Sequence, residues 1–338
     1  MNRLHALMCL ALAFGLLAAC QRGMDECDES PRDNVEALWT IIDEHYCFID
    51  YKQESLGFDW ADVRQQYLGM VHEGMSRAQL FEVLCRMLAT LRDGHVNLYS
   101  SIDVGRNWAW REDYPENLDR ELRDKYLGTD YRIAGGMKYR ILDDNVAYVV
   151  YESFADGFGE GNLDDMLYYL RLCRGMVLDL RGNTGGLLTN AEHLAARFTN
   201  ERRLVGYMCH KTGKGHNDFS QPRAEYIDPA FTRVRWQKPV VLLTNRSCFS
   251  AANTFVRDMK QMPQVTVLGD STGGGGGMPF SSELPIGWAV RFSACPSYDV
   301  DMHQIEGGIA PDVPCTLDSI RAQHGEDSMI EAARALLR

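Results

Sequence analysis

Apolar residues recur at helical spacing over residues 33–96. Residues three and four positions apart lie on one face of a helix, so each such set predicts a helix with one buried face. The segment is therefore predicted to be a small helical domain. The two clearest sets are Val35, Leu38, Trp39, Ile42 and Tyr46, and Leu80, Val83, Leu84, Met87, Leu88 and Leu91.

Residues 138–338 follow a different pattern, in which short apolar runs alternate with amphipathic ones. Strands that alternate with helices are typical of an α/β fold, so this region is predicted to be an α/β core. Strands are predicted on both sides of a turn at 143–145, at 175–180, at 265–269 and at 288–292, and helices at 163–172, at 191–198 and from 328.

One stretch of this core combines a strand, a turn and a helix. The apolar run that starts at Val240 ends in a polar turn, and an amphipathic run then continues to Met262. Ser250 lies at the turn, close to the N–H groups of the predicted helix N-terminus, which can stabilise an oxyanion. Ser250 is therefore either a nucleophile or simply the N-cap residue of the helix.

Residues 97–137 show no sustained periodic spacing of apolar residues and are predicted to connect the helical domain to the α/β core. They contain Trp108, Trp110 and a predicted helix at 118–127. The tryptophans either line a cleft or serve as packing residues. Residues 20–32 are polar and acidic, which predicts a tether.

The first 19 residues are predicted to form a signal sequence. A short apolar segment from Ala6 to Ala19 follows Arg3 and ends in Leu17-Ala18-Ala19-Cys20. This segment resembles a bacterial lipoprotein signal, which implies cleavage before Cys20, lipid on that cysteine and a membrane-anchored, extracytoplasmic protein. A plain secretory signal is the alternative.

Composition narrows the choice of ligand. The net charge of -12 leaves no basic stripe for phosphates, which argues against nucleic acid. Ten cysteines are present, and eight remain without Cys9 and Cys20. None has the spacing of a zinc site, so no metal is predicted, whereas disulfides stay open.

A second turn carries paired glycines after a predicted strand. The segment Asp179-Leu180-Arg181-Gly182-Asn183-Thr184-Gly185-Gly186 offers backbone N–H groups with no Cβ in the way. These groups either form half of an oxyanion hole or belong to a plain turn.

Four segments in this order resemble the tail-specific, or carboxyl-terminal processing, peptidases of family S41. They are the segments at 179–186, 242–255, 267–275 and 306–312. The resemblance implies a crotonase/ClpP-like core of ββα units, no cofactor, and serine endopeptidase activity on protein or peptide substrates. It also implies that Ser250 is the nucleophile and that Gly185 or Gly186, together with Ala251, forms the oxyanion hole.

The general base departs from the tail-specific pattern, which uses a lysine. No lysine follows Lys260, which lies about 15 Å along the helix from Ser250. The tricorn-core-like branch instead uses a histidine and a late glutamate, and this resemblance implies His95 and Glu306. The predicted triad is therefore Ser250, His95 and Glu306, because serine needs a base and a carboxylate can orient the imidazole.

Other polar residues near these segments have predicted roles outside the triad. Asp93 is assigned to turn support, and His303 is the reserve candidate for the base. His210 and His216 are predicted to be solvated in a polar loop.

A PDZ-like module, present in many relatives, does not fit within residues 97–137. Two other functions stay open: a peptide-binding protein that keeps the fold without turnover, and an acyl-CoA enzyme, which neither the signal sequence nor Ser250 favours. The sequence leaves the oligomeric state undetermined.

Overall fold

The computed structural model describes residues 30–338. The predicted signal sequence, Cys20 and most of the predicted tether lie outside this range. Within it, no helix combines the length and the apolar character needed to cross a bilayer.

A seven-stranded sheet forms the centre of the molecule. Its strand order is β13-β10-β9-β6-β5-β4-β3; the strands from β13 to β5 run parallel, and β4 and β3 are antiparallel to their neighbours. The members are β3 (Arg132–Ala134), β4 (Met137–Ile141), β5 (Ala147–Tyr151), β6 (Met176–Asp179), β9 (Val240–Thr244), β10 (Val265–Gly269) and β13 (Val313–Pro314).

Helices cover both faces of this sheet, which explains why its central strands are apolar throughout. Every residue of β5, β6 and β9 is buried. One face packs against α7 (Glu160–Leu170), α8 (Leu188–Ala195) and α9 (Ala251–Met259), and the other against α11 (Ser328–Leu336). Leu127 of the short helix α6 (Arg120–Leu127) packs on the same face as α11, whereas α10 (Ser319–Gln323) has no buried residue.

Four helices form the N-terminal segment, in accord with its predicted periodicity. They are α1 (Pro31–His45), α2 (Ile49–Leu56), α3 (Trp60–Leu68) and α4 (Arg77–Ala89). Ser76 caps α4 in a reciprocal capping box with Gln79. The first helix begins at Pro31, two residues earlier than the predicted boundary.

A second sheet joins this helical segment to the C-terminal half. Its order is β2-β1-β12-β7-β8, and β11 also pairs with β12. Trp288, Val290 and Phe292 lie in the same apolar cluster as the helices, so the helical segment shares its core with this sheet. The members are β1 (Asn97–Tyr99), β2 (Val104–Gly105), β7 (Arg203–Met208), β8 (Arg223–Ile227), β11 (Gly277–Glu283) and β12 (Ala289–Tyr298); α5 (Ala109–Glu112) follows β2.

The predicted elements of the parallel sheet are present, whereas the second sheet was largely missed. β10 has the predicted bounds 265–269, and β12 extends six residues beyond the predicted end at 292. The strands β7, β8 and β11 had no counterpart in the sequence analysis. Polar residues and glycines interrupt these strands, so their sequences lack the alternation that predicts a strand.

Candidate active site

Ser250 sits on a strained turn between β9 and α9. Its backbone has φ 58° and ψ -123°, a region that non-glycine residues rarely adopt. The side chain makes no capping hydrogen bond to the helix, so the N-cap alternative does not describe it. Instead, the backbone N–H of Ser250 donates to the carbonyl of Gly274 at 2.9 Å, which holds the turn in place.

The hydroxyl of Ser250 contacts His95, which lies at the end of the helical segment. Nε2 of His95 lies 2.9 Å from Oγ of Ser250, although the two residues are 155 positions apart. The backbone N–H of His95 donates to Oδ1 of Asp93 at 2.7 Å. Asp93 therefore supports the turn that precedes β1, as predicted from the sequence.

The environment of His95 keeps its imidazole neutral. Burial lowers the pKa of His95 from 6.5 to about 4; the carboxylate of Asp93 opposes this shift, whereas the charges of Arg291 and Lys52 reinforce it. A neutral imidazole can accept a proton from a hydroxyl, which a protonated one cannot. The pair therefore has the protonation state that a nucleophilic serine requires.

The other imidazole nitrogen faces a hydroxyl. Oγ of Ser293, which is fully buried on β12, lies 3.4 Å from Nδ1 of His95. Glu306 makes no hydrogen bond to His95 within the described part of the chain. The structure thus brings Ser250 and His95 together and leaves Glu306 outside direct contact with the imidazole.

The carboxylate of Glu306 instead binds a lysine and a backbone amide. Nζ of Lys52 lies 2.8 Å from its Oε1, and the N–H of Gly276 donates to its Oε2 at 3.0 Å. Both side chains of this ion pair are buried. The pair joins α2 to the loop after β12.

The surroundings of this pair raise the pKa of both groups. Burial raises the pKa of Glu306 to about 7, although Lys52 opposes the shift. Burial alone would lower the pKa of Lys52, but Glu306 and Asp93 raise it above its ordinary value. The hydroxyl of Tyr46, which donates to Oδ2 of Asp93 at 2.7 Å, completes a buried polar group behind the imidazole.

The glycine turn after β6 lies against Ser250. A Cβ on Gly185 would come within 2.6 Å of the carbonyl oxygen of Phe249 and within 2.9 Å of Cβ of Ser250, so only glycine fits this close approach. The N–H of Gly185 already donates to Oδ1 of Asn183 at 2.9 Å. Among the described residues, the N–H groups of Gly186 and Ala251 have no acceptor, which leaves them available to an oxyanion.

The remaining predicted residues lie at different distances from the site. Trp110 is buried and stacks on Phe249 with ring centroids 4.2 Å apart, so it packs behind the site, whereas Trp108 is exposed. His303 is exposed and contacts Asp299 at 3.3 Å, away from Ser250.

His216 differs from the prediction. Its two nitrogens contact Asp50 at 2.5 Å and Asp43 at 3.0 Å, so it is held between the β7–β8 connection and the helical segment and is not simply solvated. His210 is exposed, in accord with the prediction.

Two residues of the site were not found by sequence reasoning. Lys52 lies in α2 among polar residues, where the local pattern indicates a solvated face. Ser293 is a lone hydroxyl in the otherwise apolar run around Phe292, which is a weak signal of a buried polar contact. Only the pairing of β1 with β12 brings Ser293 to the imidazole.

All seven cysteines in the described range are free thiols. Burial raises the pKa of Cys173 and of Cys248, the latter to about 12, as expected for inert interior thiols. Cys85 is only partly buried.

Sequence comparison identifies the family. The pattern that defines peptidase family S41 matches residues 145–315, half of the chain, and the pattern of the tricorn protease C1 domain matches residues 28–89. The chain belongs to peptidase family S41. Ser250, the glycine turn and Glu306 lie within the S41 match, whereas His95 lies between the two matched regions.

Individual relatives agree with this assignment. The chain is 25% identical over 178 residues to the carboxy-terminal processing protease CtpA of Bacillus subtilis, a match that covers 52% of this chain and 36% of that protein. The match thus spans about a third of the length of this curated relative.

Solved structures share the fold. A presumed peptidase of Parabacteroides merdae is 51% identical, with a TM-score of 0.87, over 92% of this chain and 97% of that one. Mature CPAF in complex with lactacystin has a TM-score of 0.68 at 11% identity, over 92% of this chain and 98% of that one. The α/β core preceded by a helical segment, as predicted from the sequence, is therefore confirmed.

Proposed function

We propose that the protein is a serine endopeptidase that hydrolyses peptide bonds in extracytoplasmic protein or peptide substrates. The observation that carries the proposal is the 2.9 Å contact between Oγ of Ser250 and Nε2 of His95 on a strained strand-to-helix turn. A serine hydroxyl beside a neutral imidazole is the arrangement that acyl transfer needs.

The proposed reaction has two stages, acylation and deacylation of Ser250, and His95 acts as the base in both. Nε2 of His95 accepts the hydroxyl proton while Oγ of Ser250 attacks the substrate carbonyl, and the N–H groups of Gly186 and Ala251 stabilise the oxyanion. The imidazolium then protonates the departing amine as the peptide bond breaks. Water attacks the resulting ester with His95 again as the base, which releases the acid and restores the serine.

Glu306, the third member of the predicted Ser250–His95–Glu306 triad, makes no hydrogen bond to the imidazole, so in this proposal it supports the Ser250–His95 pair indirectly. Its carboxylate fixes the Gly276 amide beside the site and balances Lys52. The group next to Nδ1 of His95 is the Ser293 hydroxyl, and the charge that favours the imidazolium comes from Asp93.

A histidine base agrees with the positions of the nearby lysines. Nζ of Lys52 binds Glu306, and Nζ of Lys260 binds Asp312 at 2.6 Å. In the glycine run where tail-specific relatives have their lysine, a Cβ on Gly275 would lie 2.6 Å from the Phe249 ring, and its φ of 75° disfavours any side chain.

An active-site probe separates a peptidase from the alternative, a peptide-binding protein without turnover. The wild-type chain is expected to react with a fluorophosphonate at Ser250, identified by mass spectrometry of the labelled peptide. Ser250→Ala should lose the label and about 10⁴-fold or more of peptide hydrolysis. A wild type that is folded by circular dichroism but neither labelled nor active would favour the binding protein.

The proposed location depends on Cys20, which lies outside the described residues. Lipid on this cysteine would hold the peptidase on a bacterial membrane outside the cytoplasm. Cell fractionation checks this: Cys20→Ser is expected to move the protein from the membrane to the soluble fraction, and an unchanged distribution would argue against the lipid.

A further inference from the structure

A cavity opens at Ser250 and runs along α9 away from His95. Its volume is about 140 Å³, and its wall includes Ser250, Thr254 and Asp258. Asp258 lies eight residues beyond Ser250, which is about 12 Å at the rise of an α-helix. The cavity is therefore deep enough for a long side chain that enters beside the nucleophile.

The sides of the cavity are apolar. Leu188, Val205 and Ile227 line it from α8, β7 and β8. Such walls favour the aliphatic stem of a long side chain over a short polar one.

The far end carries more negative than positive charge. Glu192, Glu225 and Asp258 line it together with a single cation, Arg257. Nη1 of Arg257 binds Oε2 of Glu225 at 2.7 Å, and its Nη2 binds Oδ1 of Asp258 at 2.8 Å. This guanidinium is thus already shared between two carboxylates.

Acceptor atoms remain free at this end. Asp258 is almost completely buried, and in the described part of the chain its Oδ2 accepts no hydrogen bond. The carboxylate of Glu192 is accessible and has neither a hydrogen bond nor an ion pair among residues 30–338. Burial raises the pKa of Asp258 to about 6 although Arg257 opposes the shift, and burial together with Glu225 raises the pKa of Glu192.

A second arginine lies at the opposite end. Arg291 also lines the cavity, but its charge acts on His95 and lowers the pKa of the imidazole. It therefore belongs to the mouth of the cavity and leaves the negative charge around Glu192 uncompensated.

We propose that this cavity binds the side chain of the P1 residue, whose carbonyl Ser250 attacks, and that it selects lysine or arginine. The aliphatic stem lies between the apolar walls, and the cationic end binds Glu192 and the free oxygens of Glu225 and Asp258. The inference rests on the proposed peptidase function, since it assigns the substrate class for the same site.

The test uses two quenched peptides that differ only at P1, lysine in one and norleucine in the other. Norleucine keeps the aliphatic stem and lacks the charge. The wild-type chain is expected to cleave the lysine peptide with a kcat/KM at least tenfold higher. Glu192→Gln should reduce this ratio severalfold, mainly by slowing the lysine peptide, whereas the exposed Glu201→Gln should leave it unchanged.

Binding to the Ser250→Ala variant, followed by fluorescence anisotropy, makes the result independent of turnover. Tighter binding of the lysine peptide, weakened by an added Glu192→Gln, supports the pocket even where the wild type fails to hydrolyse, and then only the peptidase proposal is lost. Equal cleavage and equal binding of the two peptides would overturn the pocket while leaving the peptidase intact. An unchanged ratio in Glu192→Gln would also overturn it.

Discussion

The two walls of the proposed catalytic cleft are built in different ways. The core wall carries Ser250 and the glycine turn, and adjacent parallel strands and the turns after them hold it. The helical wall carries His95, Asp93 and Lys52, and contacts with residues about 200 or more positions later hold it. Local sequence thus shapes the turn that carries the proposed nucleophile, whereas the position of the proposed base depends on long-range packing.

The largest effect on activity is expected from removing His95, the proposed base on the helical wall. His95→Ala leaves Ser250 on its strained turn without a proton acceptor, so kcat is expected to fall about 10⁴-fold or more. Quenched-peptide hydrolysis measures the change, with the exposed His210→Ala as the matched control. A fall of less than tenfold would mean that another group acts as the base.

The next effect, on the free energy of unfolding, concerns the buried Lys52–Glu306 ion pair that links the two walls. Lys52→Met leaves the buried carboxylate of Glu306 without its cation, and removing one partner of a buried pair costs about 3–5 kcal/mol of unfolding free energy. Urea denaturation measures the loss. It is expected near the lower value, because the raised pKa of Glu306 lets that group take up a proton instead.

Lys214→Met provides the control for this prediction. Lys214 also pairs with a glutamate of the helical segment, Glu44 at 3.0 Å, but its side chain is 79% exposed. An exposed pair contributes at most about 1 kcal/mol. Equal losses in the two variants would show that the buried pair does not join the walls.

The smallest effect concerns the orientation of the imidazole. Ser293→Ala removes the hydroxyl 3.4 Å from Nδ1 of His95, and a single hydrogen bond of this kind corresponds to about a threefold to tenfold change. We expect kcat to fall by this factor with KM unchanged, since Ser293 is fully buried and not accessible to a substrate. The exposed Ser281→Ala is the control, and a change confined to KM would contradict the positioning role.

The same contrast explains which parts were predictable. The turn at Ser250 follows from a continuous apolar run, a polar turn and an amphipathic helix, all within about twenty residues. β10 was predicted with its observed bounds because both faces of the strand pack within the parallel sheet. Each of these features is determined by residues that are close together in the sequence.

The missed features have a weak local sequence signal or depend on distant partners. β11 begins in the glycine run and contains Pro279, so its sequence does not favour a strand; it forms through its pairing with β12. The contacts of Lys52 and Ser293 likewise join residues about 200 or more positions apart. The prediction of His95 came from family resemblance, since no periodicity leads from residue 95 to Ser250.

The pairing of β1 with β12 also sets an order of events during synthesis. The helical segment leaves the ribosome first, yet the strand that holds His95 in place extends from residue 289 to residue 298. Nearly nine-tenths of the chain must therefore be made before Ser250 can acquire its proposed base. Ser250 is itself made only after nearly three quarters of the chain, and the proposed peptidase becomes competent only once β12, one of the last strands to emerge, has been made.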